Sequence, residues 1–248
     1  MHPALKHLDH RPWPLPKTAW AWRQSWVDLA FAHWPVDVEQ IRPLIPAKLE
    51  IDTFDGTAWI GLVPFRMSGV MRRPLPDMPW VSAFPELNVR TYVTYRNKPG
   101  VWFFSLDAPN PLAIWAAKKW FHLPYYRSTI SIRQNGDQYQ YNSQRSGNEK
   151  TPANFKATYG PTSDVYHSKP GTLEHWLTER YCLYAQAPSG VISCTEVHHP
   201  PWPLQKCEMQ IEENSLCESI GLKLDEPPHA LHFSQGVDTV VWQPGNVD

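Results

Sequence analysis

Glycine is scarce in this 248-residue chain, 12 residues against 26 prolines, and the few present never form a phosphate-cradling loop. There is no G-x-G-x-x-G, no Walker pattern and no G-x-S-x-G, which removes the common nucleotide-binding and serine-hydrolase signatures. Cysteine is scarce as well. Cys182, Cys194, Cys207 and Cys217 make no C-x-x-C pair and no H-x-x-x-H accompanies them, so no metal site is expected. Neither sign of charge dominates: 23 Lys and Arg stand against 24 Asp and Glu. Interspersed, nearly balanced charge offers no electrostatic footprint for nucleic acid or a membrane surface, and neither is expected as a partner. No apolar run reaches membrane-spanning length, and the opening MHPALKHLDHRPWP lacks the apolar stretch of a secretion signal. The expectation is a cytoplasmic protein with reduced thiols and no cofactor.

What the chain does have is aromatic bulk, including 13 tryptophans, set among many rigid prolines. Residues 1–21, rich in proline and histidine and without periodicity, read as an N-terminal arm laid over the body or over a neighbouring copy; a homo-oligomer stays open. Ser25 to His33 reads as a first strand. Asp37 with Gln40 three residues on suggests a capping box at a short helix. Asp55-Gly56 between Leu49–Asp52 and Thr57–Phe65 is a hairpin signal, and the second of these strands is apolar on both faces, hence central. Arg66 to Ala83, with Arg72-Arg73 and three prolines, reads as a surface excursion. The arginine pair there is a solvated loop feature first and an anion trap second.

Leu87 to Tyr95 alternates. Glu86, Asn88, Arg90, Tyr92 and Thr94 share one face, and Glu86 and Arg90 lie roughly 13 Å apart along an ideal strand, far enough to line one cavity without pairing. The bland alternative is that this polar face meets water. Val101 to Asp107 reads as buried, Asn135-Gly136 as a tight turn, and Gln138 to Arg145 as a polar edge strand. Thr172 caps a helix with Leu173, Trp176 and Leu177 inward. His198 and His199 end a strand; adjacent strand positions diverge, so one of them at most faces a cavity. Arg180 suits a carboxylate ligand or a structural acid partner equally.

The chemistry turns on NPLAIWAAKKWFHLPYY, Asn110 to Tyr126. Asn110 is a good N-cap and Pro111 fits the first helical position. Leu112, Trp115, Ala116 and Phe121 form the apolar side, Pro124 ends the helix, and Lys118 and Lys119 fall in its last turn, where the helix dipole favours cations.

Several blocks together resemble the YqjF-like family of uncharacterised bacterial proteins: LAFAHWPV, LEIDTFDGTAWIGLVPFRM, FPELNVRTYV, GVWFFSLDA, HLPYY, LTERYCLY, HHPPWPL and VVWQP. The resemblance runs from about Trp22 to Pro244. It implies the acetoacetate-decarboxylase-like fold, α+β, a mostly antiparallel β cone or barrel with a few short helices, as a single domain over 22–248. Decarboxylases of that superfamily carry G-R-E-x-x-G-[FY]-P-K-K, in which one lysine forms an imine with the substrate. Here Pro124 matches the proline and Tyr125-Tyr126 stand in the place of the lysines. A phenol cannot form an imine, so Schiff-base decarboxylation is not expected; the competing alignment would promote Lys118 or Lys119. The resemblance thus implies Glu86, Tyr125 and Tyr126 as catalytic groups, and the residues themselves offer Arg90, Arg180, His198 and Trp202 as candidates around the ligand. The expected function is an enzyme acting on a small carbonyl compound or organic acid without a covalent lysine; the alternative is a non-catalytic small-molecule binder.

Overall fold

The computed structural model describes residues 2–75, 82–146 and 152–247. Its strands are β1 (Trp22–Val36), β2 (Glu50–Ile51), β3 (Ala58–Arg72), β4 (Phe84–Tyr95), β5 (Lys98–Ala108), β6 (Tyr125–Asn135), β7 (Gln138–Arg145), β8 (Asn154–Pro161), β9 (Cys182–Gln186), β10 (Ile192–His198), β11 (Leu204–Asn214), β12 (Ala230–Val241) and β13 (Gly245–Asn246). The helices are α1 (Val38–Ile41), α2 (Pro111–Phe121) and α3 (Leu173–Thr178).

The strand pairings close twice. β1, β3, β4, β5, β6, β7, β8, β11 and β12 form a nine-strand mixed barrel. β1, β3, β4, β5, β9, β10 and β12 form a second, seven-strand ring, because β5 also pairs with β9 and β10 with β12. Pairing is antiparallel except at β5–β6 and β5–β9, the two strands that branch from β5. The segment β1–β3–β4 belongs to both rings and is therefore enclosed on both faces. This is why β3, at its centre, reads as apolar on both sides.

Side-chain alternation then divides the interior. Ala30, Ala32, Ile60, Leu62, Leu87 and Val89 point into the nine-strand ring and pack with Tyr141, Phe155, Tyr159 and Phe233 as a filled core. Their neighbours Phe31, Val63, Phe65, Glu86, Asn88 and Arg90 point the other way, into the seven-strand ring, which is hollow. Each strand thus builds a core with one set of side chains and a cavity with the next.

Several local expectations need correction. β3 runs on to Arg72, so the expected excursion from Arg66 is sheet over its first part, and residues 76–81 of it lie outside the described residues. The Asp55-Gly56 turn forms, with Phe54 and Thr57 exchanging backbone bonds, but β2 pairs with β4, not with β3. The expected edge strand, β7, lies between β6 and β8, and its Tyr139, Tyr141, Ser143 and Arg145 are buried. The adjoining turn centres on Gly136-Asp137, one residue later than expected, with Asn135 paired to Gln138 and Gly136 at φ 60°. Asp37 precedes α1, yet its side chain makes no capping bond. The arm lies on β10: Arg11 donates to Val197 O at 2.5 Å and pairs with Glu196, and Trp13 Nε1 donates to Glu196 at 2.9 Å.

Candidate functional site

The cavity of about 410 Å³ lies in the lumen of the seven-strand ring, and every strand of that ring contributes to its wall. None of β7, β8 or β11 does. Phe31, Phe65, Phe84 and Phe103 make much of the wall, with Tyr125 from the start of β6 and α2 across the mouth. Helix α2 forms as expected: Asn110 Oδ1 accepts from the backbone N–H of Leu112 and Ala113. Its docking face differs. Ile114, with Ala117 and Phe121, packs against Leu106, Leu123 and Tyr125, while Leu112 and Trp115 are exposed along the cavity mouth. Leu112 to Ala117 is apolar all round, so periodicity could not select the inward side.

Glu86 and Tyr125 meet inside. The Tyr125 hydroxyl donates to Glu86 Oε2 at 2.8 Å, and both residues are buried and line the cavity. Burial pushes the Glu86 carboxyl up to about 8; the Tyr125 bond opposes this and the charge of Asp107 adds to it. Burial, with Glu86 beside it, raises the Tyr125 phenol well above its ordinary range, so it remains a neutral donor. Asn88 lies between Glu86 and Arg90 on the same face of β4 and also lines the cavity, a position that alternation marked without assigning it a role.

Arg90 and Arg180 both line the cavity. Arg90 Nη2 donates to Leu177 O at 3.1 Å, and the Tyr92 hydroxyl donates to the same carbonyl at 2.8 Å while accepting from His33 Nε2 at 2.7 Å. That bond pattern puts a proton on His33 Nε2, and burial, with Arg90 nearby, holds the imidazole pKa well below the usual range. Gly61 sits between His33 and Arg90 on adjacent strands; a Cβ there would come within 2.9 Å of the His33 ring, so glycine is what admits this row. Arg180 donates to Asp52 at 2.5 Å and to Trp176 O at 2.7 Å, and its guanidinium stacks on Tyr92 and Trp176. Arg180 Nη2, Arg90 Nε and Asn88 Oδ1 remain buried without a hydrogen-bond partner among the described residues. No carboxylate pairs with Arg90 among those residues, whereas Arg180 pairs with Asp52.

The remaining expected residues divide. Trp202 lines the cavity, its ring stacked near Trp26 and edge-on to Phe31. His198 does not: its Nε2 bonds Ala4 O of the arm at 2.9 Å, its ring stacks on His10, and burial takes its pKa to about 4. His199 faces the cavity instead, because adjacent positions diverge. Tyr126 also leaves the cavity, for the same reason. Its ring lies 4.1 Å from the Arg145 guanidinium, whose Nε and Nη2 donate to Asp107 at 2.7 and 2.9 Å. Lys118 and Lys119 are exposed on α2, and no lysine lines the cavity among the described residues. Among those residues, too, no cluster of three or more His, Cys, Asp or Glu is arranged to hold a metal ion, and no helix is long and apolar enough to cross a membrane.

This architecture is shared with solved proteins. It matches an acetoacetate decarboxylase-like enzyme from Sphingomonas wittichii RW1 with a TM-score of 0.65 at 13% identity, over 93% of this chain and 94% of that one. The enduracididine biosynthesis enzyme MppR complexed with pyruvate matches with a TM-score of 0.64 at 12% identity, over 93% and 91%. Acetoacetate decarboxylase from Legionella pneumophila matches at 0.60 and 12%, over 100% and 96%. At these identities the likeness establishes the fold, that of the acetoacetate-decarboxylase-like proteins. In sequence, the chain is 43% identical over 228 residues to the uncharacterized protein YqjF of Bacillus subtilis (strain 168), covering 92% of this chain and 93% of that protein. Residues 23–238 match the model of the DUF2071 family of uncharacterized conserved proteins, and the chain belongs to that family.

Proposed function

We propose that the protein takes a small carbonyl-containing organic acid into the cavity and moves a proton on it without forming a covalent lysine intermediate. The observation that carries this reading is the buried Tyr125–Glu86 hydrogen bond within an otherwise apolar chamber. A carboxyl group with its pKa near 8 can act as a base close to neutral pH, the condition under which proton transfer is most efficient. In this scheme Arg90 and Arg180 hold the carboxylate of the acid through guanidinium N–H groups that lack a partner. Glu86 takes a proton from the carbon next to the carbonyl, and Tyr125 keeps the carboxyl oriented. MppR, a fold relative, binds pyruvate, which supports the choice of ligand class.

The test is hydrogen–deuterium exchange at the C3 methylene of 2-oxobutyrate, followed by NMR. The wild-type protein accelerates the exchange, and Glu86→Gln lowers the acceleration by about a hundredfold or more, the usual contribution of a positioned acid or base. Borohydride added to the same mixture leaves the protein mass unchanged. A reduced lysine adduct would overturn the non-covalent scheme. Binding with no accelerated exchange would favour instead a non-catalytic binding protein, a reading to which the predominantly apolar cavity wall lends support.

A further inference from the structure

Large apolar side chains are concentrated at the mouth of the cavity. Among the described residues, seven large hydrophobic side chains are exposed, and four of them, Leu75, Leu112, Trp115 and Trp120, line this one opening. Scattered single exposures are ordinary on a protein surface, whereas a cluster at the rim of a pocket marks a place where something apolar is covered. The rim is also held together. The Arg72 guanidinium lies 5.6 Å from the Trp22 ring and 5.1 Å from the Trp120 ring, tying the ends of β1 and β3 to α2. Within, the buried polar groups are Glu86, Asn88, Tyr125, Thr178, Arg180 and His199, and much of the surface between them and the rim is aromatic and aliphatic.

This is a gradient from polar interior to apolar exit, and a three- or four-carbon acid matches only its inner part. At about 410 Å³ the chamber falls in the range that accommodates drug-sized ligands. With a very small acid bound, the outer wall would face water that finds few hydrogen-bond partners there. We infer that the ligand is an amphipathic acid, a 2-oxo acid head on a long aliphatic or aryl body, with the head among the buried polar groups and the body running out between α2 and β3. This inference rests on the proposed function for the position of the head, and adds the chemistry of the remainder. It makes Leu112, Trp115 and Trp120 specificity-determining residues that contact the ligand body.

The experiment measures binding of straight-chain 2-oxo acids of four to twelve carbons by isothermal titration calorimetry. Affinity rises roughly fourfold for each added methylene, the ratio that burial of one CH2 carries, up to at least eight carbons. Ala116→Trp, at the rim of α2, reduces the affinity of the longest acids more than that of the shortest. Affinity that is flat or falls beyond four carbons overturns this inference and leaves the proposed function standing. Absence of binding across the whole series overturns both.

Discussion

Tyr125 and Tyr126 are chemically identical and adjacent, yet one lines the chamber and the other covers an arginine. The difference comes from strand geometry: successive side chains leave a strand on opposite faces. The sequence presented the pair, and the alternation starting at Tyr125 was readable, but which face was hollow was not. Two predictions belong at this scale. Tyr125→Phe removes the one hydrogen bond that lowers the pKa of Glu86, so the carboxyl titrates higher still. The exchange activity of the wild type, carried by the carboxylate, rises with pH through about 8 and levels above it; in the variant this profile moves to higher pH and the neutral-pH rate falls about tenfold. An unmoved profile would detach Tyr125 from Glu86 in function.

The second prediction concerns stability. Glu86 has a folded pKa near 8 against an ordinary value of 4.5, so folding favours its protonated form. Its contribution is fully present below pH 4.5 and is lost as the pH rises towards 8, because the unfolded chain releases that proton earlier. Glu86→Gln cannot ionise. The variant therefore gains on the wild type across this window, by at most roughly 1.4 kcal/mol per pH unit, and the gap is constant above it. Thermal melts of both proteins from pH 5 to pH 9 check the slope; parallel curves would contradict the raised value.

At the scale of elements, α2 shows what local signals can and cannot specify. Its start was legible, since Asn110 and Pro111 carry N-cap chemistry that does not depend on the rest of the fold. Its end is more particular than a following proline: His122 closes the helix in the left-handed region at φ 53°. A residue with a Cβ is disfavoured there and glycine is not. His122→Gly is accordingly expected to stabilise the protein by up to about 1 kcal/mol, read as a rise of roughly 2–4 °C in Tm. A fall in Tm would mean that the His122 side chain makes a contact worth more than the backbone preference. The inward face of α2 was not legible, because an element apolar on nearly every side takes its orientation from its neighbours. The same applies to β7, whose exposed polar positions suggested an edge while its alternate positions, Tyr139 and Tyr141, are core.

Across the whole molecule, the decisive feature is the branch at β5. Asp107, near the end of β5, accepts from Arg145 at the end of β7 and from Ser128 Oγ on β6 at 2.6 Å, all of them buried. This cluster ties together the strands at which the sheet passes from the hollow ring to the filled one. Removing one partner leaves an uncompensated buried charge, which costs far more than the pair itself contributes. Arg145→Met is expected to lower stability by about 3–5 kcal/mol in denaturant titration, with a corresponding loss of Tm. A change below 1 kcal/mol would show that Asp107 escapes its desolvation by another route.

Several things were determined by the sequence alone: the strand periodicity, the cap of α2, and the residues sharing the polar face of β4. These depend on neighbours within a few positions, and local backbone geometry is sufficient to express them. Only the tertiary structure decided that β1–β3–β4 serves two rings, that one ring is filled and the other hollow, and that Tyr125 and His199 face the hollow while Tyr126 and His198 do not. Those outcomes follow from long-range strand pairing, above all β5 with β9 and β10 with β12, which joins segments far apart in the chain and so leaves no local signature.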